Sequence, residues 1–210
     1  VAGRPSRLRQ PEVLQAPPQR LELYGHNLTD AVFSMKADRE EWAKTLGYVR
    51  LGLGDHVEDI QTRPVGGGSI TMDLELTGGR RLSASTLSDG ELAYLAFVAL
   101  ARSPAERSLL AFDEPDLHIH PGLLVRVVQL LETSSLRQPV LLATHSGELL
   151  DSLADPASSV LVCELQLPER RTILRQLDAQ QLANWLGDYR GVGHLRSEGY
   201  LSHVLQHDRG

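Results

Sequence analysis

Residues 108–116 read Ser108-Leu-Leu-Ala-Phe-Asp-Glu-Pro-Asp116, and residues 140–146 read Val140-Leu-Leu-Ala-Thr-His-Ser146. Each is a short, fully apolar run that stops at once in polar residues. Between them, Leu123, Leu124, Val127, Val128 and Leu131 recur at helical spacing over Pro121–Leu131. Strand, helix, strand with continuous apolar strands predicts a βαβ crossover in a parallel sheet covered on both faces, with right-handed connection. In such sheets ligands bind at the carboxyl ends of the strands. The residues delivered there are Asp113, Glu114 and Asp116 after the first run, and Thr144, His145 and Ser146 after the second.

Upstream of this unit, Glu91–Arg102 is apolar nearly all round, which predicts a helix buried on most sides. Gly78-Gly79 and Gly66-Gly67-Gly68 punctuate three strand-like runs, Val57–Arg63, Ser69–Leu76 and Arg81–Ala84, as in an antiparallel meander. A helix is expected from Asn27 to Leu46, with Leu28, Val32, Met35 and Trp42 on one stripe. Residues 1–20 carry four prolines among arginines and glutamines and read as a linker. Arg4, Arg7, Arg9 and Arg20 then belong to a solvated segment rather than a basic arm. Downstream, strands are expected at Ser159–Glu164 and Thr172–Leu177, with a hairpin turn at Arg170-Arg171. Helices are expected at Gln180–Leu186 and Ser197–Gln206.

Composition narrows the class. The 210 residues carry 21 Lys+Arg against 27 Asp+Glu, a net charge of −6, which argues against a free-standing DNA-binding module. A hydrophobic content of 41% is that of a folded chain. A single cysteine, Cys163, excludes an internal disulfide and a cysteine-based zinc site. No apolar stretch is long enough to span a bilayer, so no membrane contact is expected and the cytoplasm is the expected location. Only two lysines occur, Lys36 and Lys44, and neither follows a glycine, so G-x-x-x-x-G-K-[ST] is absent.

An Asp then a Glu at the end of a strand suits nucleotide hydrolysis, the Asp holding Mg²⁺ and the Glu orienting and deprotonating water. The same pair also fits a chain simply leaving the core. His145 can donate to a phosphate or serve as a structural partner to a carbonyl. Ser88 and Glu91 have the spacing of a capping box, and the same helix start, with a serine and Gly90, suits a phosphate. Asp89 opposes an anion there unless it turns away.

Their order is more telling than any one element: Ser88 precedes Asp113 by 25 positions, and His145 follows it by 32. The phrases LSDGELAYLAF (87–97), LLAFDEPDLHIHP (109–121) and LLATHSGELL (141–150) resemble the C-terminal lobe of ABC-type ATPase heads. The branch they resemble contains RecF, the structural-maintenance-of-chromosomes (SMC) proteins and bacterial RecF-like AAA-family ATPases. The tail, Trp185-Leu-Gly-Asp-Tyr-Arg-Gly191 and Glu198-Gly-Tyr-Leu201, is similar to the end of those proteins. The resemblance implies an α/β, P-loop NTPase-like fold. On it, Leu87, Ser88, Asp89, Gly90 and Glu91 match the signature motif, Asp113 the Mg²⁺-binding Walker B aspartate and Glu114 the catalytic glutamate. Asp116 matches the D-loop and His145 the switch histidine.

That implies a linker over 1–20, a helix and antiparallel region over 21–86, and a signature, Walker B and switch-histidine lobe over 87–210. In such ATPases two heads sandwich ATP, so ATP, Mg²⁺ and a second head are the implied cofactors and partner. DNA, and a role in repair or defence, enter by family analogy alone. The missing lysine loop implies a C-terminal lobe whose Walker A lobe is absent or on another chain, and an isolated chain that is inactive. Two other readings stand beside this one. A metal-dependent hydrolase would use His118, His120 and Asp113, with Asp116 and His145 as further ligands. A non-catalytic lobe would use the sandwich for dimerisation or partner control.

Overall fold

Three glycines at positive φ, Gly66 (96°), Gly67 (59°) and Gly68 (77°), turn strand β2 (Val57–Gly66) back onto β3 (Ser69–Leu76) in the computed structural model. The structure describes residues 8–9, 11–13, 21–22, 25–103, 107–117 and 119–206. The chain divides into two compact units, Val1–Thr144 and His145–Gly210.

In the first unit, β3 is the centre of an antiparallel sheet. It pairs with β2, with β4 (Arg80–Ser83) and with a two-residue strand β1 (Glu12–Val13). A register shift between Val57 and Asp59 is a bulge, which lets Val57 and Ile60, three positions apart, both be buried. In the stretch read as linker, β1 thus joins the sheet, and Leu8 is 3% exposed. Arg4, Arg7 and Arg20 lie outside the described residues.

The helix expected over Asn27–Leu46 is two helices, α1 (Leu28–Met35) and α2 (Arg39–Leu53). The cause is Asp38, whose side chain accepts from the amides of Glu40 (3.0 Å) and Glu41 (3.1 Å) and so starts a new helix. Gly54 at φ 105° ends it. Helix α3 (Asp89–Arg102) is buried at ten consecutive positions, Leu92–Ala101, as its composition predicts. Tyr94 lies against α2, where its hydroxyl donates to the Tyr48 carbonyl at 2.7 Å. A methyl group on Gly52 would stand 2.1 Å from the Tyr94 ring, so only glycine permits that approach.

The crossover is as read: β5 (Leu110–Asp113), α4 (Pro121–Ser135) and β6 (Val140–Ala143), with β5 and β6 parallel and Asp113 opposite Ala143. The coverage is not. Leu110 is buried and Phe112 half-buried, its ring 5.1 Å from Phe97 of α3. Ala111, Asp113, Leu141 and Ala143 share the opposite face, and all four are exposed. This sheet is covered on one side only among the described residues.

In the second unit, β7 (Leu161–Gln166) and β8 (Arg171–Gln176) form the expected hairpin, with Arg170 at φ 53° in its turn. The unit also contains α5 (Gly147–Asp151), α6 (Pro156–Ser159), α7 (Ala179–Trp185) and α8 (Val192–Ser197). Its core is Leu177, Leu182, Val192, Leu195, Val204 and Leu205. The helix expected at Ser197–Gln206 is absent: Gly199 at φ 83° ends α8, and only a 3-10 turn follows at Leu201–Val204.

Candidate functional site

The carboxyl end of β5 is built by its neighbour. Glu114 donates its amide to the Ala143 carbonyl of β6 at 2.8 Å, so the ladder continues one residue past the strand. There the backbone turns: Glu114 has φ 45°, the left-handed region that a glutamate rarely enters. A non-glycine residue held there costs about 1–3 kcal/mol and persists only where its surroundings impose it. Pro115 follows and is buried, which stops the strand and keeps both carboxylates at its rim.

Thr144, the first residue after β6, faces this rim. Its hydroxyl donates to Asp116 Oδ1 at 2.9 Å and stands 3.4 Å from Glu114 Oε2. A hydroxyl has one proton, and the shorter contact takes it. The Asp116 carboxylate is therefore fixed by Thr144. The Asp113 side chain, by contrast, is exposed and makes no hydrogen bond or ion pair with any described residue. Thus Glu114, Asp116 and Thr144 meet within the first unit, and Asp113 ends the strand that leads into them.

A second locus lies at the start of α3. Ser88 Oγ accepts from the Glu91 amide at 3.2 Å, and Glu91 Oε2 accepts from the Ser88 amide at 2.7 Å, the reciprocal capping box its spacing predicts. Leu87 is buried beneath this turn, whereas Ser88 and Asp89 are exposed. Asp89 is held in an ion pair with Arg9, whose other guanidinium nitrogen donates to the Leu87 carbonyl at 2.6 Å. The anion-repelling charge at this helix start is thereby neutralised by a residue that sequence reasoning set aside as linker. The described hydrogen bonds at Leu87–Glu91 run within the motif, along the chain to Ala84 and into α3, and to Arg9.

His145 opens the second unit. It is exposed, and Arg196 of α8 clamps it: Nη1 donates to the His145 carbonyl at 2.7 Å and Nη2 contacts ring Nδ1 at 3.1 Å. Arg196 carried no signal in the sequence, because its partner lies 51 positions away.

His120 serves as the N-cap of α4, its Nδ1 accepting from the Gly122 amide at 3.1 Å. His118 lies outside the described residues. Among the described residues, no group of three or more His, Cys, Asp and Glu gathers closely enough to hold a metal ion. A Mg²⁺ ion bound with a nucleotide asks for less, because it takes one or two carboxylates, substrate phosphate oxygens and waters. The exposed carboxylate of Asp113 fits that requirement. Also among the described residues, no helix is long and apolar enough to cross a membrane.

A family model described as "AAA domain, putative AbiEii toxin, Type IV TA system" matches residues 9–151. No curated protein matches the chain. Several solved structures of SMC heads are similar to it. The Smc head bound to the C-winged helix domain of ScpA is 14% identical with a TM-score of 0.50, covering 80% of this chain and 53% of that one. The Smc head of Pyrococcus furiosus, with an extended coiled coil and bound to the C-terminal domain of ScpA, is 14% identical with a TM-score of 0.49. It covers 79% of this chain and 42% of that one. A third, from work on ATP-driven dimerization and DNA-stimulated activation of SMC ATPases, is 15% identical with a TM-score of 0.46, covering 71% and 92%. The chain thus spans about half or less of the first two. At 14% identity the likeness to the first of these is one of fold alone, the α/β P-loop NTPase fold.

Proposed function

The chain belongs to the family of AAA domains that matches residues 9–151, a family of ATP-binding ATPase modules, and from that premise we propose that it supplies the hydrolytic half of a RecF/SMC-like ABC-type head. The observation that carries this reading is the rim of β5, where Asp113 and Glu114 emerge together and Glu114 is held at φ 45° by its bond to Ala143.

On this reading Glu114 accepts a hydrogen bond from the attacking water and takes its proton. Asp116, fixed by Thr144, is the D-loop aspartate at the head–head boundary. His145 donates a hydrogen bond to the γ-phosphate as negative charge shifts during transfer. Asp113 is the residue that would hold Mg²⁺, which would supply neutralising charge to the phosphate oxygens. Leu87, Ser88, Asp89, Gly90 and Glu91 serve the opposite head, closing over its γ-phosphate with the amides of α3. The lysine-bearing loop comes from a Walker A lobe, in the same polypeptide or a second one, and the exposed face of β5 and β6 is where that lobe packs as a further layer. The chain alone then neither binds ATP tightly nor hydrolyses it. Two such heads, in the cytoplasm, share two ATP molecules.

This division of labour predicts complementation between complete heads. Ser88→Arg and Glu114→Gln each abolish turnover. In a mixed dimer one shared site has both Ser88 and Glu114 intact, so mixing the two variants restores hydrolysis. Failure of the mixture to recover any turnover would refute the shared-site reading.

A further inference from the structure

We propose that Arg196 is a positioning residue that fixes His145 in the tautomer carrying its proton on Nε2. The inference rests on the reading of His145 as a phosphate donor and adds the device that makes it one. A guanidinium has five N–H donors and no acceptor. Its 3.1 Å contact with Nδ1 is therefore a hydrogen bond only if Nδ1 presents its lone pair, and neutral imidazole then carries its proton on Nε2. The same guanidinium holds the His145 carbonyl at 2.7 Å, so ring and backbone are gripped from one planar group. A neutral histidine free to choose either tautomer presents a donor at Nε2 only part of the time.

The approach of Arg196 to His145 is built into the second unit. Helix α5 begins at Gly147, two residues after His145, and α8 crosses it at Gly193. A methyl group on Gly193 would stand 2.0 Å from the Gly147 carbonyl oxygen, so the two backbones touch. Asp151, at the end of α5, accepts from the Gly193 amide at 2.6 Å and from the His194 amide at 3.3 Å, which caps α8 in that place. Arg196 lies three residues past Gly193, about one helical turn, on the face that meets His145. The tail segment Gly191-Val-Gly193, unexplained by the ATPase motifs, thereby acquires a purpose.

The test is a long-range ¹H–¹⁵N spectrum of the 210-residue chain with labelled histidine, at a pH where imidazole is neutral, with His145 assigned from His145→Gln. The expected result is a pure Nε2–H pattern in the wild type. In Arg196→Gln the pattern becomes mixed or reverses; in Arg196→Lys, which keeps one donor, it recovers in part. Gly193→Ala, which drives α8 off α5, weakens the preference with Arg196 still present. An unchanged Nε2–H pattern in Arg196→Gln overturns the proposal. In the complete head, Arg196→Gln is expected to lower kcat about tenfold with KM for ATP little changed. The spectrum is independent of ATP chemistry, so the two ideas fail separately. A tautomer switch with no dependence of turnover on His145 refutes the phosphate-donor role. A turnover that needs His145 but ignores Arg196 refutes the positioning role.

Discussion

The antiparallel sheet β1–β4 and the parallel pair β5–β6 lie in the same unit, yet they are finished to different degrees. The first has its turns, its bulge and its central strand, and it buries Val57, Ile60, Met72 and Leu74 to within 3%. The second buries Leu110 but leaves Leu141 57% exposed, with Ala111 and Ala143 beside it. Parallel sheets are normally covered on both faces. The antiparallel layer buries its central side chains, while the pair that carries Asp113 and Glu114 leaves one face exposed among the described residues. The rim that carries Asp113, Glu114 and Asp116 thus sits on the less covered of the two sheets.

Substitutions on the two sheets should separate these roles. Met72→Ala, in the centre of the closed sheet, should cost about 3 kcal/mol in chemical denaturation, because it leaves a cavity. A loss below roughly 0.5 kcal/mol would mean that this sheet is no better packed than the other. Gly52→Ala should cost about 2 kcal/mol, because the new methyl group collides with the Tyr94 ring that locks α2 to α3.

Tyr94→Phe should cost about 1 kcal/mol at neutral pH by removing the bond to the Tyr48 carbonyl. It should also change the alkaline limb. Burial pushes the Tyr94 phenol up to about 12 from its usual 10, so the fold favours the protonated form. That contribution is full below pH 10 and is lost as pH rises through about 12. Denaturation followed across this range should show the loss in the wild type and a shallower decline in Tyr94→Phe.

The smallest effect belongs to the open face. Leu141→Ser should change the stability of this chain by no more than about 0.5 kcal/mol, yet weaken assembly with a Walker A lobe. A large destabilisation of the chain alone would show that the face is already covered.

How far the sequence announced this architecture follows from where the signals sit. Helix α3 and the crossover β5–α4–β6 were readable because burial on most sides writes continuous apolar runs. The capping box at Ser88 and Glu91 was readable because both partners lie within one turn. The break at Asp38 was written in the same local code, an aspartate ahead of Glu40 and Glu41, but the apolar stripe running past it suggested one helix. Arg9 and Arg196 were not legible, since their partners lie 80 and 51 positions away and an arginine in isolation reads as solvated. The contact of Gly147 with Gly193 is of the same kind, two small residues whose meaning appears only when their helices cross. Coverage of the parallel pair could not be read either: its apolar strands suit a sheet covered on both faces, and the described residues cover one.

The most direct test is ATP hydrolysis by the longest natural polypeptide containing this chain, beside its Glu114→Gln variant, with nucleotide binding measured in both. Turnover that falls by at least about 100-fold in the variant while ATP is still bound is the predicted result. Near-normal turnover in Glu114→Gln would remove that carboxylate from the chemistry and with it the hydrolytic role of this lobe.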